Sequence, residues 1–256
     1  MSRIVRNKPK SLGPLPVAGK IKIGRQVPIG GGKSRPEALD HFIATGRYAA
    51  HFDRAFPEKT SQLTITFASD DPSFSCSERL ELRSKDGLVA RGDGVQFEAW
   101  SSHTDSFEPF TPTDPEAWMK QAAEKAGKPW YVVLDLRFII PAIRDVAAVW
   151  HLSTKGERSS VPAIRDTFDQ VLESAGTVMR IPFDLNVEIV KGQGLKARRF
   201  PVISLVPNIG DDAMEQVRAM LDSGERIRGL LTQERLIGGG KEYETSVHRG
   251  DHAKED

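Results

Sequence analysis

The chain has 256 residues and a formal net charge of only +1, with 36 Lys and Arg against 35 Asp and Glu. Hydrophobic residues make up 39% and charged residues 28%, which excludes collagen-like, mucin-like and wholly disordered chains. No apolar run approaches the roughly 18 residues of a membrane-spanning helix, and we see no signal-peptide apolar region, so we expect a cytoplasmic protein of a bacterial host without membrane contact. The single cysteine, Cys76, excludes an internal disulfide framework and a cysteine-based zinc site within one chain.

The basic residues are unevenly distributed along the chain. Nine of them lie within residues 1–36, which contain no acidic residue, whereas residues 37–256 carry a net charge of −8. A basic segment on an acidic body can hold phosphate or an acidic protein, and it is equally typical of a solvated tail. We predict that nucleic acid is bound by Arg6, Lys8, Lys10, Lys20, Lys22, Arg25, Lys33 and Arg35.

The first half of the chain predicts short strands. Residues 1–16 contain three prolines and read as a flexible basic arm. Alternation then predicts strands over 17–24, 63–67, 79–83 and 95–100, separated by turns at Gly30–32, Asp70–Pro72, Lys85–Gly87 and Gly92–Gly94. Short strands joined by short turns favour an antiparallel sheet.

The second half mixes helices with strands. Asp114, Pro115 and Gly127 bracket a predicted helix. Apolar spacing predicts further helices over 160–172 and from 211 to 221. Strands are predicted over 131–138, 146–152, 179–189 and 199–206, the last two as antiparallel neighbours.

These elements predict an α+β fold, mainly antiparallel sheet with about three helices, for which a barrel-like closure is one option. We assign residues 1–16 to the basic arm, 17–232 to a single domain and 233–256 to a flexible polar tail.

Motifs for nucleotide or metal chemistry are weak. Gly31-Gly-Lys-Ser34 lacks the first glycine of a P-loop, whose place is taken by Val27, and Pro28 removes one of the amides that would wrap a phosphate. His248 and His252 have helical ligand spacing but lie in the polar tail. His151 lies inside an apolar strand, which favours a structural histidine over a ligand.

Candidate catalytic groups are also explained more simply by structure. Ser75 and Ser77 flank Cys76 and indicate a surface turn. Asp70, Asp71, Asp93 and Glu98 could cluster on a metal ion, yet two turns and a strand face account for them. We therefore predict a protein that is not an enzyme and needs no metal or cofactor.

Aromatic residues interleaved with basic ones on predicted strands are typical of single-strand binding, in which bases stack on exposed rings. Most rings of a body this size belong to its core. The available rings are Phe97, Trp100, Trp130, Tyr131, Trp150 and Phe200.

An ordered series of segments resembles the phage recombination directionality factors that work with large serine integrases. The segments occupy residues 19–24, 36–43, 63–72, 92–94, 149–154, 160–164 and 181–185. The resemblance implies a protein that binds an integrase and switches it from integration to excision. Several relatives carry a cysteine-rich stretch after the Gly-Asp-Gly motif, but residues 95–130 contain no cysteine, so a metal knuckle is not expected here.

Three functions follow in order of preference. The first is a phage or prophage recombination accessory protein that contacts a serine integrase, with its basic arm near DNA. The second is a phage single-stranded DNA-binding protein. The third is a metal-dependent hydrolase.

Overall fold

The computed structural model describes residues 16–192 and 199–209. Several predicted features lie outside the described residues. They are residues 1–15 of the basic arm, the helix over 211–221, the domain end at 232, the polar tail 233–256 and the histidine pair at 248 and 252.

Across residues 16–192 and 199–209, eleven strands form two sheets. In chain order they are β1 (Val17–Gly30), β2 (Lys33–Thr45), β3 (Gln62–Ile65), β4 (Cys76–Ser84), β5 (Gly87–Gly92), β6 (Phe97–Ser101), β7 (Ser106–Phe110), β8 (Trp130–Phe138), β9 (Val149–Thr154), β10 (Phe183–Lys191) and β11 (Arg199–Pro207). The large sheet has the order β2-β1-β9-β8-β4-β5-β6-β7, and the small sheet has the order β11-β10-β3. Among these strands only β1 and β9 pair in parallel. The predicted α+β class with mainly antiparallel sheet is therefore confirmed.

The large sheet does not close into a barrel. Its edge strands, β2 and β7, lie at opposite ends of the eight-strand order. The predicted option of a barrel is therefore not realised, because alternation within strands carries no information on whether the first and last strands meet.

Four helices lie in the described ranges: α1 (Ala49–Ala55), α2 (Pro72–Ser75), α3 (Pro115–Ala126) and α4 (Ser160–Ala175). The predicted signals at α3 are confirmed, because Asp114 accepts a hydrogen bond from the Ala117 amide and Gly127 ends the helix at φ 63°. The predicted helix over 160–172 is α4, which is three residues longer. None of the helices in the described ranges is long and apolar enough to cross a membrane.

The buried side chains form two clusters. The larger one is enclosed by both sheets and α4, and it contains Trp150, Phe168 and Phe183. The smaller one lies between α3 and strands β4 to β6, where Phe97 and Trp130 are buried. Both clusters pack against the same face of the large sheet, so the opposite face is left to polar side chains.

Two local predictions differ from the structure. Cys76 is not in a surface turn: it is fully buried as the first residue of β4. The strand predicted from residue 179 begins only at Phe183, because Arg180 takes a φ of 67° that interrupts extended backbone. Met179 forms an isolated bridge with Phe67 instead.

Candidate functional site

The side chains of the large sheet divide between a core face and a polar face, because residues alternate along each strand. Residues directly opposite each other on paired strands share a face, so Glu81, Arg91 and Glu98 form one row across β4, β5 and β6. We call this side the polar face. It carries seven cations, Lys20, Lys22, Arg79, Arg83, Arg91, Arg137 and Lys155, with three carboxylates, Glu81, Asp135 and Glu98.

Glu81 is the centre of a charge network on the polar face. Its side chain is only 3% exposed, and its carboxylate lies 2.6 Å from Arg79, 3.0 Å from Arg83 and 3.4 Å from Lys155. Burial opposes ionisation, but the three cations outweigh it and lower the pKa of Glu81. The Glu81 carboxylate is therefore ionised and holds the side chains of Arg79, Arg83 and Lys155 in position.

Asp135 anchors a second group of polar side chains on β8 and β9. Its carboxylate pairs with Arg79 and accepts a hydrogen bond from Ser153, and His151 Nε2 lies 2.9 Å away. Burial, together with the nearby Arg137, Arg79 and Lys20, lowers the pKa of His151 to about 4. His151 is therefore neutral at neutral pH, as its prediction as a structural histidine implies.

The Ser153, His151 and Asp135 side chains do not have the geometry of a catalytic triad. A triad places the carboxylate on one imidazole nitrogen and the hydroxyl on the other. Here the same nitrogen, Nε2, faces both the Asp135 carboxylate at 2.9 Å and the Ser153 hydroxyl at 3.3 Å. The three side chains form a structural hydrogen-bond group.

Replacing His151 with asparagine should reduce the sensitivity of the protein to mild acid. The pKa of His151 is about 4 in the folded chain and 6.5 in the unfolded chain, so the unfolded chain binds the proton more readily. The folded state therefore has its full stability at pH values above 6.5 and loses stability as the pH falls towards 4. We expect the wild-type chain to lose about 2–3 kcal/mol more than His151→Asn between pH 7 and pH 4.5. Urea unfolding at the two pH values measures this difference. Equal losses of unfolding free energy in wild type and His151→Asn would show that the pKa of His151 is not lowered in the folded chain.

A cleft of about 440 Å³ is lined by residues of β4 to β8, among them polar-face residues of β4, β5, β6 and β8. Three guanidinium groups line it, those of Arg79, Arg91 and Arg137. Arg79 is paired with Asp135, and Arg91 Nε donates to Glu98 at 2.6 Å. Arg137 differs from both, because its partner is an uncharged carbonyl.

Arg137 is held against α2. It donates to the Phe74 carbonyl at 3.2 Å, and its guanidinium lies 5.5 Å from the centre of the Phe74 ring. Burial and the like charge of Arg79 lower the pKa of Arg137. Within the described residues no carboxylate lies at ion-pair distance from Arg137, although Glu78, Asp93, Glu98 and Asp135 also line the cleft.

Two aromatic rings form a ledge beside the cleft. Trp100 on β6 is 46% exposed and packs edge-on against Phe107 of β7, with ring centres 5.3 Å apart. The Arg91 guanidinium lies 5.1 Å from the centre of the Phe107 ring. Arg91 therefore touches both the ledge and the wall of the cleft.

A long hairpin of β1 and β2 extends beyond the core. Residues 25–36 are mostly exposed, and the turn uses Gly30, Gly31 and Gly32 at positive φ. Register places Arg25, Val27 and Ile29 on one side of this hairpin, with Arg35 opposite Val27. Ile29 is 57% exposed. That side thus combines apolar and basic side chains.

Comparison with known proteins decides the family. The sequence profile of the Gp3-like family, described as recombination directionality factor-like, matches residues 18–208, which is nearly all of the described part of the chain. The chain belongs to this family. No curated protein and no solved structure matches the chain.

Membership of the directionality factor-like family supports an accessory role in phage DNA recombination. The resemblance inferred from the ordered segments is thus confirmed at the level of the family. The profile covers the residues of the hairpin, the polar face and the cleft.

The structure separates the predicted nucleic-acid residues of this directionality factor-like chain into two places. Lys20 and Lys22 lie on the polar face, with Lys20 opposite His151. Arg25, Lys33 and Arg35 lie on the hairpin, where Arg25 Nε is 2.6 Å from Glu37. Arg6, Lys8 and Lys10 lie outside the described residues.

The four carboxylates considered as a metal cluster are dispersed. Asp70 accepts hydrogen bonds from Thr177 and the two following amides, and Asp71 caps α2. Asp93 accepts hydrogen bonds from two backbone amides of its own turn, and Glu98 pairs with Arg91. Within residues 16–192 and 199–209, no group of three or more His, Cys, Asp or Glu is placed to hold a metal ion.

The six candidate stacking rings divide by exposure. Phe97, Trp130 and Trp150 are buried in the two clusters, and Tyr131 is half-buried with Lys155 over its ring. Only Trp100 and Phe200 are large and exposed. The sequence identified Trp100 as a candidate stacking ring, but it did not identify Phe107, Arg91 and Arg137 as its neighbours. The signal was present in part, because charged residues alternate within 79–83 and 131–137, and this alternation predicts a polar face.

Proposed function

We propose that this chain is a recombination directionality factor that binds a serine integrase in the bacterial cytoplasm and switches it towards excision, without catalysing a reaction itself. The observation that carries the proposal is the family match over residues 18–208. The site supports it, because Glu81, Asp135, His151 and Ser153 are engaged in structural hydrogen bonds and ion pairs rather than arranged as a reaction centre.

The exposed hairpin is the part of the chain that we propose contacts the integrase. Val27 and Ile29 would supply apolar contact area, and an apolar centre with a polar rim is typical of protein interfaces. β2 is also an edge strand of the large sheet, and edge strands favour pairing with another chain.

The predicted basic residues would then lie near the DNA of the recombination complex. Lys33 and Arg35 are exposed on the hairpin, and Lys20 and Lys22 are exposed on the polar face. Contacts from such residues to phosphate are independent of sequence, so we propose that they position the complex on DNA while the integrase selects the sites.

Replacing Ile29 with glutamate is expected to lower the excision activity of an integrase by at least about tenfold, because it places a charge at the centre of an apolar contact. The assay measures recombination of the two hybrid attachment sites by the cognate serine integrase, with and without the purified protein. Ser34→Ala, on the other side of the hairpin, is the matched control and should retain full activity.

The two parts of the proposal fail separately. Excision that is unaffected by wild-type protein would contradict the directionality factor function. Excision stimulated equally by wild type and Ile29→Glu would leave that function standing and would contradict the hairpin as the contact.

A further inference from the structure

The polar face has properties that binding to an integrase through the hairpin does not use. Among the described residues it has a guanidinium in a cleft that forms no ion pair, an exposed aromatic ledge and seven cations against three carboxylates, although residues 37–256 are net acidic. We propose that this face binds single-stranded nucleic acid, with a phosphate held at Arg137 and a base stacked on Trp100.

The cleft supplies the phosphate contact. The guanidinium of Arg137 donates to the neutral Phe74 carbonyl and lines the cleft beside Arg79. The wall of the cleft also contains four carboxylates, each engaged by another group: Asp135 by Arg79, Glu98 by Arg91, Asp93 by amides of its own turn and Glu78 by Arg165 at 3.6 Å. An anion entering the cleft would pair with Arg137, which has no carboxylate partner among the described residues, and would relieve the repulsion between its guanidinium and that of Arg79. A planar guanidinium suits phosphate, since it can donate two parallel hydrogen bonds.

The ledge supplies the base contact. The Trp100 indole is 46% exposed and is supported from its side by Phe107. Stacking of one base on an aromatic side chain contributes about 1–3 kcal/mol and tolerates any base. Bases in a duplex are already stacked on each other, so this contact selects unpaired strands.

The two contacts belong to one continuous surface. Arg91 and Glu98 line the cleft, and Arg91 also lies over the Phe107 ring. Trp100 is two residues after Glu98 on β6, a spacing of about 7 Å along a strand. A strand of nucleic acid could therefore pass from the cleft to the ledge along Arg91.

An acidic segment of a protein is the competing occupant. It would use the cations of the face but not the exposed indole, since carboxylates gain nothing from a ring whose face is negative. The aromatic ledge beside Arg91 and Arg137 therefore favours nucleic acid.

The test is fluorescence anisotropy of the full chain with a labelled oligothymidine of about 20 nucleotides, long enough for the usual site sizes, and with a duplex of the same length. We expect salt-sensitive binding that is tighter for the single strand. Trp100→Ala should weaken it about tenfold, and Trp100→Phe, which keeps a stacking face, should restore most of the affinity. Arg137→Gln should weaken binding and reduce the salt slope by about 0.7 for the lost phosphate contact.

Two control variants remove an aromatic ring and a cation that lie away from the cleft and the ledge. Phe200→Ala removes another exposed ring, and Lys120→Gln removes a cation from α3, on the core side of the sheet. Neither should change the affinity by more than about twofold, within the small effect expected of a remote surface change. Circular dichroism of each variant establishes that it is folded.

Three results would overturn the proposal. One is the absence of single-strand binding at low salt, and another is binding that Trp100→Ala and Arg137→Gln leave unchanged. The third is binding of a labelled polyglutamate peptide as tight as that of the oligonucleotide, weakened by Arg137→Gln but not by Trp100→Ala, which would assign the face to an acidic segment.

Discussion

Replacing Phe97 with alanine is expected to lower the free energy of unfolding by about 3–5 kcal/mol. Phe97 is 2% exposed and is surrounded by Trp118, Trp130 and Phe110, with ring centres 4.5, 5.6 and 6.0 Å away. Truncation removes the central ring of the smaller cluster and leaves a cavity that the neighbouring large rings cannot fill without moving.

Urea unfolding followed by tryptophan fluorescence measures this loss, because Trp118 and Trp130 touch the altered ring. Phe200→Ala is the control, since that ring is 41% exposed and its removal should cost less than about 1 kcal/mol. A loss below about 1 kcal/mol for Phe97→Ala would show that the smaller cluster is not a packed core.

The loss should also affect the proposed binding surface. Phe97 and Trp100 lie on opposite faces of β6, so the smaller cluster supports the strand that presents Trp100. We expect faster amide hydrogen exchange in β6 and β7 of the Phe97 variant than in β1 and β9, which pack on the larger cluster.

Replacing Glu81 with glutamine is expected to cost about 2–3 kcal/mol at pH 7. The change removes the one buried charge shared by Arg79, Arg83 and Lys155 and leaves these cations to repel each other. The cost lies below that of a fully buried pair, because the cations are 26%, 45% and 42% exposed and remain in contact with water.

The pH dependence identifies the mechanism. The pKa of Glu81 is lowered in the folded chain, so its contribution is present above its unfolded pKa and is lost as the pH falls through the folded value. Thermal or urea unfolding should therefore show the gap between wild type and Glu81→Gln closing in acid. A gap that is constant with pH would indicate lost packing instead. Arg83→Gln, which removes one outer cation, should cost less than about 1 kcal/mol.

These networks explain how one sheet can serve two purposes. The core face holds the two hydrophobic clusters, and the polar face carries charges that are fixed by Glu81 and Asp135 rather than left free. Cations that are already positioned lose less side-chain freedom when an anion binds. The same ion pairs that stabilise the fold would therefore prepare the proposed binding surface.

The sequence determined those features of the protein that depend on near neighbours in the chain. The cap at Asp114 and the stop at Gly127 bound α3, and the glycines at 30–32 turn β1 into β2. The antiparallel pairing of β10 with β11 followed from their alternation and proximity. The ordered segments were also sufficient for the family.

Only the tertiary structure decided which distant residues meet. The placement of β1 beside β9, and of β4 between β5 and β8, depends on contacts between residues far apart in the chain, which no local pattern encodes. This order brings Arg137 to the cleft that Arg91 also lines, and it buries Cys76, whose neighbouring serines suggested a turn. The sequence shows which residues are charged and which are aromatic, but packing across the sheet determines that they form one surface.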